Sequence, residues 1–276
     1  MSATTRYAIP REHGAWGMLL FPMAASALLT RTATPLHAAA FGAALAAFVA
    51  REALVILARQ RWVWRQPRPE ADAARRTLPL AAFVLLLSGL ALASVVPVAW
   101  LAGLLLGGLV LGGVATYAAV RGKQRSPAVQ LLGAAGLSAA ALLPWLASGR
   151  EPFAATVWLL ILAHTVHSTG GVLTVHARLE TLRGRKSAQP ERVERRLAWA
   201  WQPVQAVAAI GLGGWLAAGL ALPAVAHAAD LLRLDDSRLL AQPLRRVGLR
   251  ELSLSALQSA SAVVGLWSTS GGPVPQ

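Results

Sequence analysis

The chain contains no cysteine, which excludes disulfides, thiolate-bound zinc and iron–sulfur clusters. It is also short of charge. Only 14% of its 276 residues are Asp, Glu, Lys or Arg, against about 25% in soluble domains. Acids are the scarcer sign, 12 against 26 basic residues. A net charge of +14 in a soluble protein would suggest nucleic acid. Here nucleic acid is not expected, because 55% of the chain is hydrophobic and its apolar runs recur from end to end. In such a chain basic loops set topology and touch anionic lipid headgroups.

What is present is a series of runs near the length needed to cross a bilayer, about 20 residues. They lie near 14–29, 37–57, 78–96, 98–119, 127–147, 153–175, 197–214, 216–231 and 251–268. The fold class expected is an all-α polytopic bundle of about nine transmembrane helices, with one membrane domain over 1–268 and a flexible tail over 269–276. The first run follows Arg6 and Arg11 and reads as an uncleaved helix rather than a signal peptide. The seventh and eighth runs need a turn near Gly213-Gly214 or near Gly219. With the N-terminus inside and the C-terminus outside, 24 of the 26 basic residues fall in cytoplasmic segments; only Arg31 and Arg150 do not. Treating 197–231 as one span would put the last basic loop on the wrong side. A multi-pass protein of the cytoplasmic (inner) membrane is therefore expected, surrounded by lipid and with anionic headgroups as partners. Its oligomeric state is left open.

Two further patterns concern packing. Gly103, Gly107, Gly108 and Gly112 are spaced to let helix backbones approach in lipid. An offset of 119 aligns residues 11–61 with 130–180 at 8 identities in 51 positions, among them Gly17 with Gly136 and Arg59 with Arg178. It places the first span on the fifth and the second on the sixth, predicting a 4+4+1 pseudo-repeat.

Chemistry can reside at three places. Pro10-Arg11-Glu12-His13-Gly14-Ala15-Trp16 heads the first span, with His13 expected to line a cytoplasmic site and Trp16 to sit at headgroup level. The second span ends in Arg51-Glu52 and Arg59, and ionisable groups at membrane depth are functional candidates. The sixth span places His164, His167, Gly171, Thr174 and Arg178 on one helix face. That stripe is expected to face the bundle interior, and Gly170-Gly171 suits a broken helix. Candidate catalytic groups are Glu52, His164 and His167; candidate substrate ligands are His13, Arg51, Arg59, Thr174 and Arg178. The donor set does not assemble a metal site, and whether a cofactor binds is left open. The basic loops Arg65–Arg68 and Arg183–Lys186 supply phosphate-binding side chains.

The stretch Pro10–Trp16 with the following apolar helix resembles the YwiC-like family of bacterial membrane proteins, an uncharacterised family. The stretches Val172–Arg178 and Leu244–Glu251 look like its later segments. At fold level the predicted arrangement is similar to UbiA-type intramembrane prenyltransferases, which have nine helices and a cytoplasm-facing site beside the loops after the second and sixth. That likeness would imply Asp-rich motifs holding Mg²⁺ and a prenyl diphosphate. This chain has only Glu52 and Glu180 near those points, so a Mg²⁺–diphosphate mechanism is not expected. Three function classes remain open: a site for an isoprenoid or other lipid with an anionic headgroup, as enzyme or binder; a small-solute or ion transporter; and a non-catalytic accessory protein.

Overall fold

The computed structural model describes residues 7–10, 13–187 and 193–269. Arg6, Arg11, Glu12, Glu191, Arg192, residues 270–276 and the side chains of His13, Arg185 and Lys186 lie outside the described residues. The described residues are all-helical. The helices are α1 (His13–Leu29), α2 (Pro35–Trp62), α3 (Pro69–Leu92), α4 (Val98–Val120), α5 (Pro127–Ala139), α6 (Leu142–Ala147), α7 (Ala155–Ser187), α8 (Val193–Leu212), α9 (Gly214–Leu232), α10 (Ser237–Ala241) and α11 (Leu244–Thr269). Each apolar run read from the sequence overlaps helix, with 93–96, 140–141, 153–154 and 213 left outside.

Six segments are long and apolar enough to cross a membrane: Pro35–Trp62, Pro69–Leu92, Val98–Val120, Pro127–Ala147, Ala155–Gly184 and Gly214–Leu232. Helix Gly14–Leu29 is apolar but shorter. The chain is thus a multi-pass membrane protein.

Helix ends differ from the predicted spans for a physical reason. Apolarity marks where lipid begins, whereas capping marks where a helix begins. Helix α3 starts at Pro69, well before the predicted 78, because extended Arg68 precedes a proline at the first helical position and Glu70 and Asp72 face the positive helix end. The fifth predicted span is interrupted at Ala140–Ala141. The ring of Pro144 clashes with the carbonyl four residues back, which breaks the helix there. The Ser26 hydroxyl donates to the buried Ala141 carbonyl at 2.7 Å.

The chain forms two compact units, one of residues 1–12, 30–136 and 142–152 and one of 13–29, 137–141 and 153–276. In the first, α2 packs against α3, α4 and α6. Its buried face is mostly alanine, so backbones approach closely. Ala8, Ala53, Ala73 and Ala74 form one small core cluster, and the Ala8 amide donates to Thr77 Oγ1 at 2.8 Å. The α4 glycines do not serve as expected. A Cβ at Gly103, Gly107, Gly108 or Gly112 would meet no atom within 4 Å. The glycine that admits a neighbour to α4 is Gly136, against Leu111.

In the second unit α7 is the central helix, packed against α1, α8, α9 and α11. It is the most buried of the candidate spans, at 72%. Gly213, with φ +65° and ψ 174°, and Gly214, with φ +52°, form the turn between α8 and α9. Side-chain-bearing residues avoid that backbone region, so of the two predicted turn positions this is the one used. Gly219 instead makes room for α11, since a Cβ there would fall 2.8 Å from Ser261 Cβ. Replacing Gly213 and Gly214 together by alanine is expected to cost about 1 kcal/mol per position, read as a lower midpoint in thermal unfolding of the detergent-solubilised chain.

Candidate functional site

The polar face predicted for the sixth span exists and is buried. His164, His167, Thr174 and Arg178 are each at most 5% exposed. Their spacing on α7 puts them in one line, and α11 supplies the partners. His164 Nε2 lies 3.3 Å from Ser259 Oγ. His167 Nε2 lies 2.9 Å from Ser255 Oγ. One turn further, Gly171 faces Glu251, where a Cβ would fall 2.9 Å from Oε2. Partner numbers fall on α11 as they rise on α7, so the helices run antiparallel and the contacts form a ladder with a step of about one turn. Lipid offers no partner for such groups, and each rung gives it one.

Helix α9 closes the lower rung. His227, fully buried, donates from Nε2 to Glu251 Oε2 at 2.9 Å. Its ring stacks on His167, with centroids 6.1 Å apart and planes within 16°. Arg250 grips Asp230 of α9 with both terminal nitrogens, Nη1 to Oδ1 at 2.7 Å and Nη2 to Oδ2, and also donates to Glu251 Oε1 at 3.1 Å. Such two-pronged pairing is among the stronger charge-assisted geometries. Below it, Thr174, Val175, Arg178, Asp230, Leu234, Leu239 and Val247 line a pocket with room for about one water molecule.

Arg178 is already committed. Its Nη2 donates to the carbonyls of Leu239 at 2.7 Å, Leu240 at 3.2 Å and Gln242 at 2.7 Å. These carbonyls belong to α10 and the residue after it, and carbonyls at a helix C-terminus attract a cation. Thr174 donates to its own helix at Gly170 O, 2.8 Å. Helix α7 runs unbroken through Gly170 and Gly171, which corrects the broken-helix expectation. The missing side chains make way for neighbours instead: Gly170 faces the amide of Gln205 on α8, at 2.6 Å from Nε2 to a built Cβ, and Gly171 faces Glu251. Glu180, further along α7, accepts from the backbone amides of Glu194 at 3.1 Å and Arg195 at 2.8 Å and so caps the start of α8.

The α2 candidates lie in the first unit. Arg51 and Glu52 pair at 3.5 Å and are half-buried. Arg59 Nε donates to the Ala119 carbonyl at the end of α4, 3.4 Å away. Gln60 ties down the following loop, donating to Gln66 O at 3.2 Å and accepting from the Arg68 amide at 3.1 Å. Arg68 lies over the Trp64 ring, 4.6 Å from its centroid. His13 begins α1, while Gly17 rather than Gly14 packs closely, against Leu252. Among the described residues no three His, Cys, Asp or Glu side chains group as a metal site.

Sequence reasoning passed over His227, Asp230, Glu251, Ser255 and Gln205. Spacing finds a stripe on one helix but not the stripe opposite. A usable signal was the recurrence of Glu251, Ser255 and Ser259 every four residues on the last span.

Arg178→Lys is expected to lower stability by about 2 kcal/mol, since three carbonyls cannot keep their partner on a shorter point charge; chemical unfolding in detergent reads it. An unchanged midpoint would remove Arg178 from its capping role. Residues 9–145 match the model of the family described as YwiC-like protein. That range contains His13, Arg51, Glu52 and Arg59 and ends before α7. No curated protein and no solved structure matches the chain. Over residues 9–145, then, the chain belongs to the YwiC-like family.

Proposed function

We propose that the chain is a permease of the bacterial inner membrane, with the α7–α9–α11 polar ladder as the site that accepts a small polar solute or ion. The observation that carries this reading is the depth of the ladder. From His164 to Arg178 it covers about 21 Å of helix, most of a hydrocarbon core of about 30 Å. Buried polar groups at that depth are costly and mark pathways in membrane proteins.

The topology belongs to the same proposal: nine crossings, N-terminus inside, C-terminus outside, arranged 4+4+1. Adding 119 to the bounds of α1 to α4 gives 132–148, 154–181, 188–211 and 217–239, close to Pro127–Ala147, α7, α8 and α9. Repeat-related glycines Gly17 and Gly136 each admit a leucine from another helix, Leu252 and Leu111. Repeat-related arginines Arg59 and Arg178 each reach carbonyls about 60 residues downstream, at Ala119 and at Leu239 to Gln242. The two basic residues outside the predicted cytoplasmic loops also fit. Arg150 Nη2 donates to Thr30 O at 3.0 Å, so the turns after α1 and after α6 share one end of the first unit.

An anionic lipid headgroup remains a second reading, favoured by one feature. The loop Val63–Arg68 forms a shallow groove, with Trp62 exposed beside it and Arg68 stacked on Trp64. Aromatic and basic side chains together suit the headgroup layer. On this reading Arg51, Glu52 and Arg59 border the membrane interface rather than a catalytic centre.

Proteoliposomes should accumulate at least one solute from a labelled panel of amino acids, nucleobases, sugars and carboxylic acids. His164→Ala with His167→Ala should lower that uptake at least tenfold. Uptake by no panel member above empty liposomes, or uptake indifferent to both histidines, would contradict the permease reading. For the loop, Arg65→Ala with Arg68→Ala should reduce anionic phospholipid retained in native mass spectrometry; unchanged retention would contradict the headgroup reading.

A further inference from the structure

The ladder holds more proton acceptors than its hydrogen bonds use. His167 Nδ1 and His227 Nδ1 are both buried and both without a partner. Each ring is engaged through its other nitrogen, His167 with Ser255 and His227 with Glu251. The two rings stack, so the free nitrogens belong to neighbouring imidazoles. On α11 the buried Gln258 Oε1 is likewise unpartnered.

The charges facing this pair can be counted. Helix α9 brings Asp230, α11 brings Arg250 and Glu251, and α7 brings Arg178, His164 and His167. Helix α8 presents neutral Gln205, and α1 carries no titratable side chain between Gly14 and Leu29. The two cations and two carboxylates are equal in formal charge. Arg178, however, turns its Nη2 to carbonyls, while its Nε is buried without a partner. The carboxylate of Glu251 therefore shares one arginine with Asp230 and still faces an imidazole at 2.9 Å.

The geometry is also one-sided. The water-sized pocket lies at the Asp230 and Arg178 end. Beyond His164 the helix reads Ala155-Thr156-Val157-Trp158-Leu159-Leu160-Ile161-Leu162-Ala163, with no titratable group.

We propose that His227 and Glu251 form an exchangeable proton-binding site, with the His167 ring stacked beside it. This rests on the permease reading and names the proton as the coupled ion. A proton entering from the Asp230 side adds to the lone pair of His227 Nδ1. Nε2–H stays with Glu251, and the imidazolium so formed is held by the carboxylate. Release is the reverse, and no bond other than N–H forms or breaks. The apolar segment above His164 stops the proton inside, so its onward passage requires the helices to move. Binding and conduction are thereby separate events, as coupling demands.

The test is a proton count on the full detergent-solubilised chain. Acid–base difference titration between pH 8 and pH 5 should show wild type binding one more proton per molecule than His227→Gln. Glu251→Gln should also lose that proton, because the imidazolium loses its counter-charge. Wild-type counts in both variants would overturn the proposal. If neither variant folds, ¹⁵N-histidine spectra of the wild-type chain in membranes decide. A slowly exchanging imidazole that becomes charged over this range supports the site, and none doing so overturns it. A missing proton without solute uptake would sink only the permease reading; uptake with unchanged proton counts would sink only this one.

Discussion

A carboxylate inside a helix bundle needs partners on every side. Glu251 has His227 at 2.9 Å, Arg250 at 3.1 Å and, in front of it, the gap left by Gly171. The rest of the second unit follows from that fit. A side chain at Gly171 would fall 2.9 Å from Glu251 Oε2 and displace the carboxylate from His227. His227 would then lose its acceptor, and a stranded buried polar group costs about 1–3 kcal/mol. Arg250 holds α9 to α11 through Asp230, which brings His227 to the carboxylate. Helix packing and site geometry are thus the same set of contacts.

The arginines divide this work differently from what their number suggests. Arg178 and Arg59 look like phosphate ligands in a sequence and act as caps on helix ends. Carbonyls at a helix C-terminus lack partners within the helix. A guanidinium with several donors supplies them without a long loop. Glu180 does the reciprocal task for the positive end of α8. Charge at the rim therefore closes the fold, and the polar chemistry left over lies deeper, among histidines and hydroxyls.

Much of this was legible in the sequence. Hydropathy located every main helix, because lipid imposes one length and one composition on a crossing segment. The count of basic residues separated α8 from α9, and the glycines at 213 and 214 supplied the turn. The stripe on α7 was legible because histidines three residues apart must share a face. What faces that stripe was not. His227, Glu251 and Ser255 lie on helices whose packing order no local pattern encodes. The glycines misled in two ways. Those in α4 follow a packing spacing yet meet no neighbour among the described residues, and those in α7 suggested a break where they seat Gln205 and Glu251. Spacing shows that a residue is small, and only the fold shows what fills the space.

The central claim is that Glu251 and His227 are energetically coupled across α9 and α11 and hold the ladder in register. A double-mutant cycle of His227→Ala and Glu251→Ala, measured by unfolding in detergent, tests it most directly. The account predicts a coupling of about 1.5–3 kcal/mol, the range for a hydrogen bond to a charged group. Strict additivity of the two substitutions would contradict it.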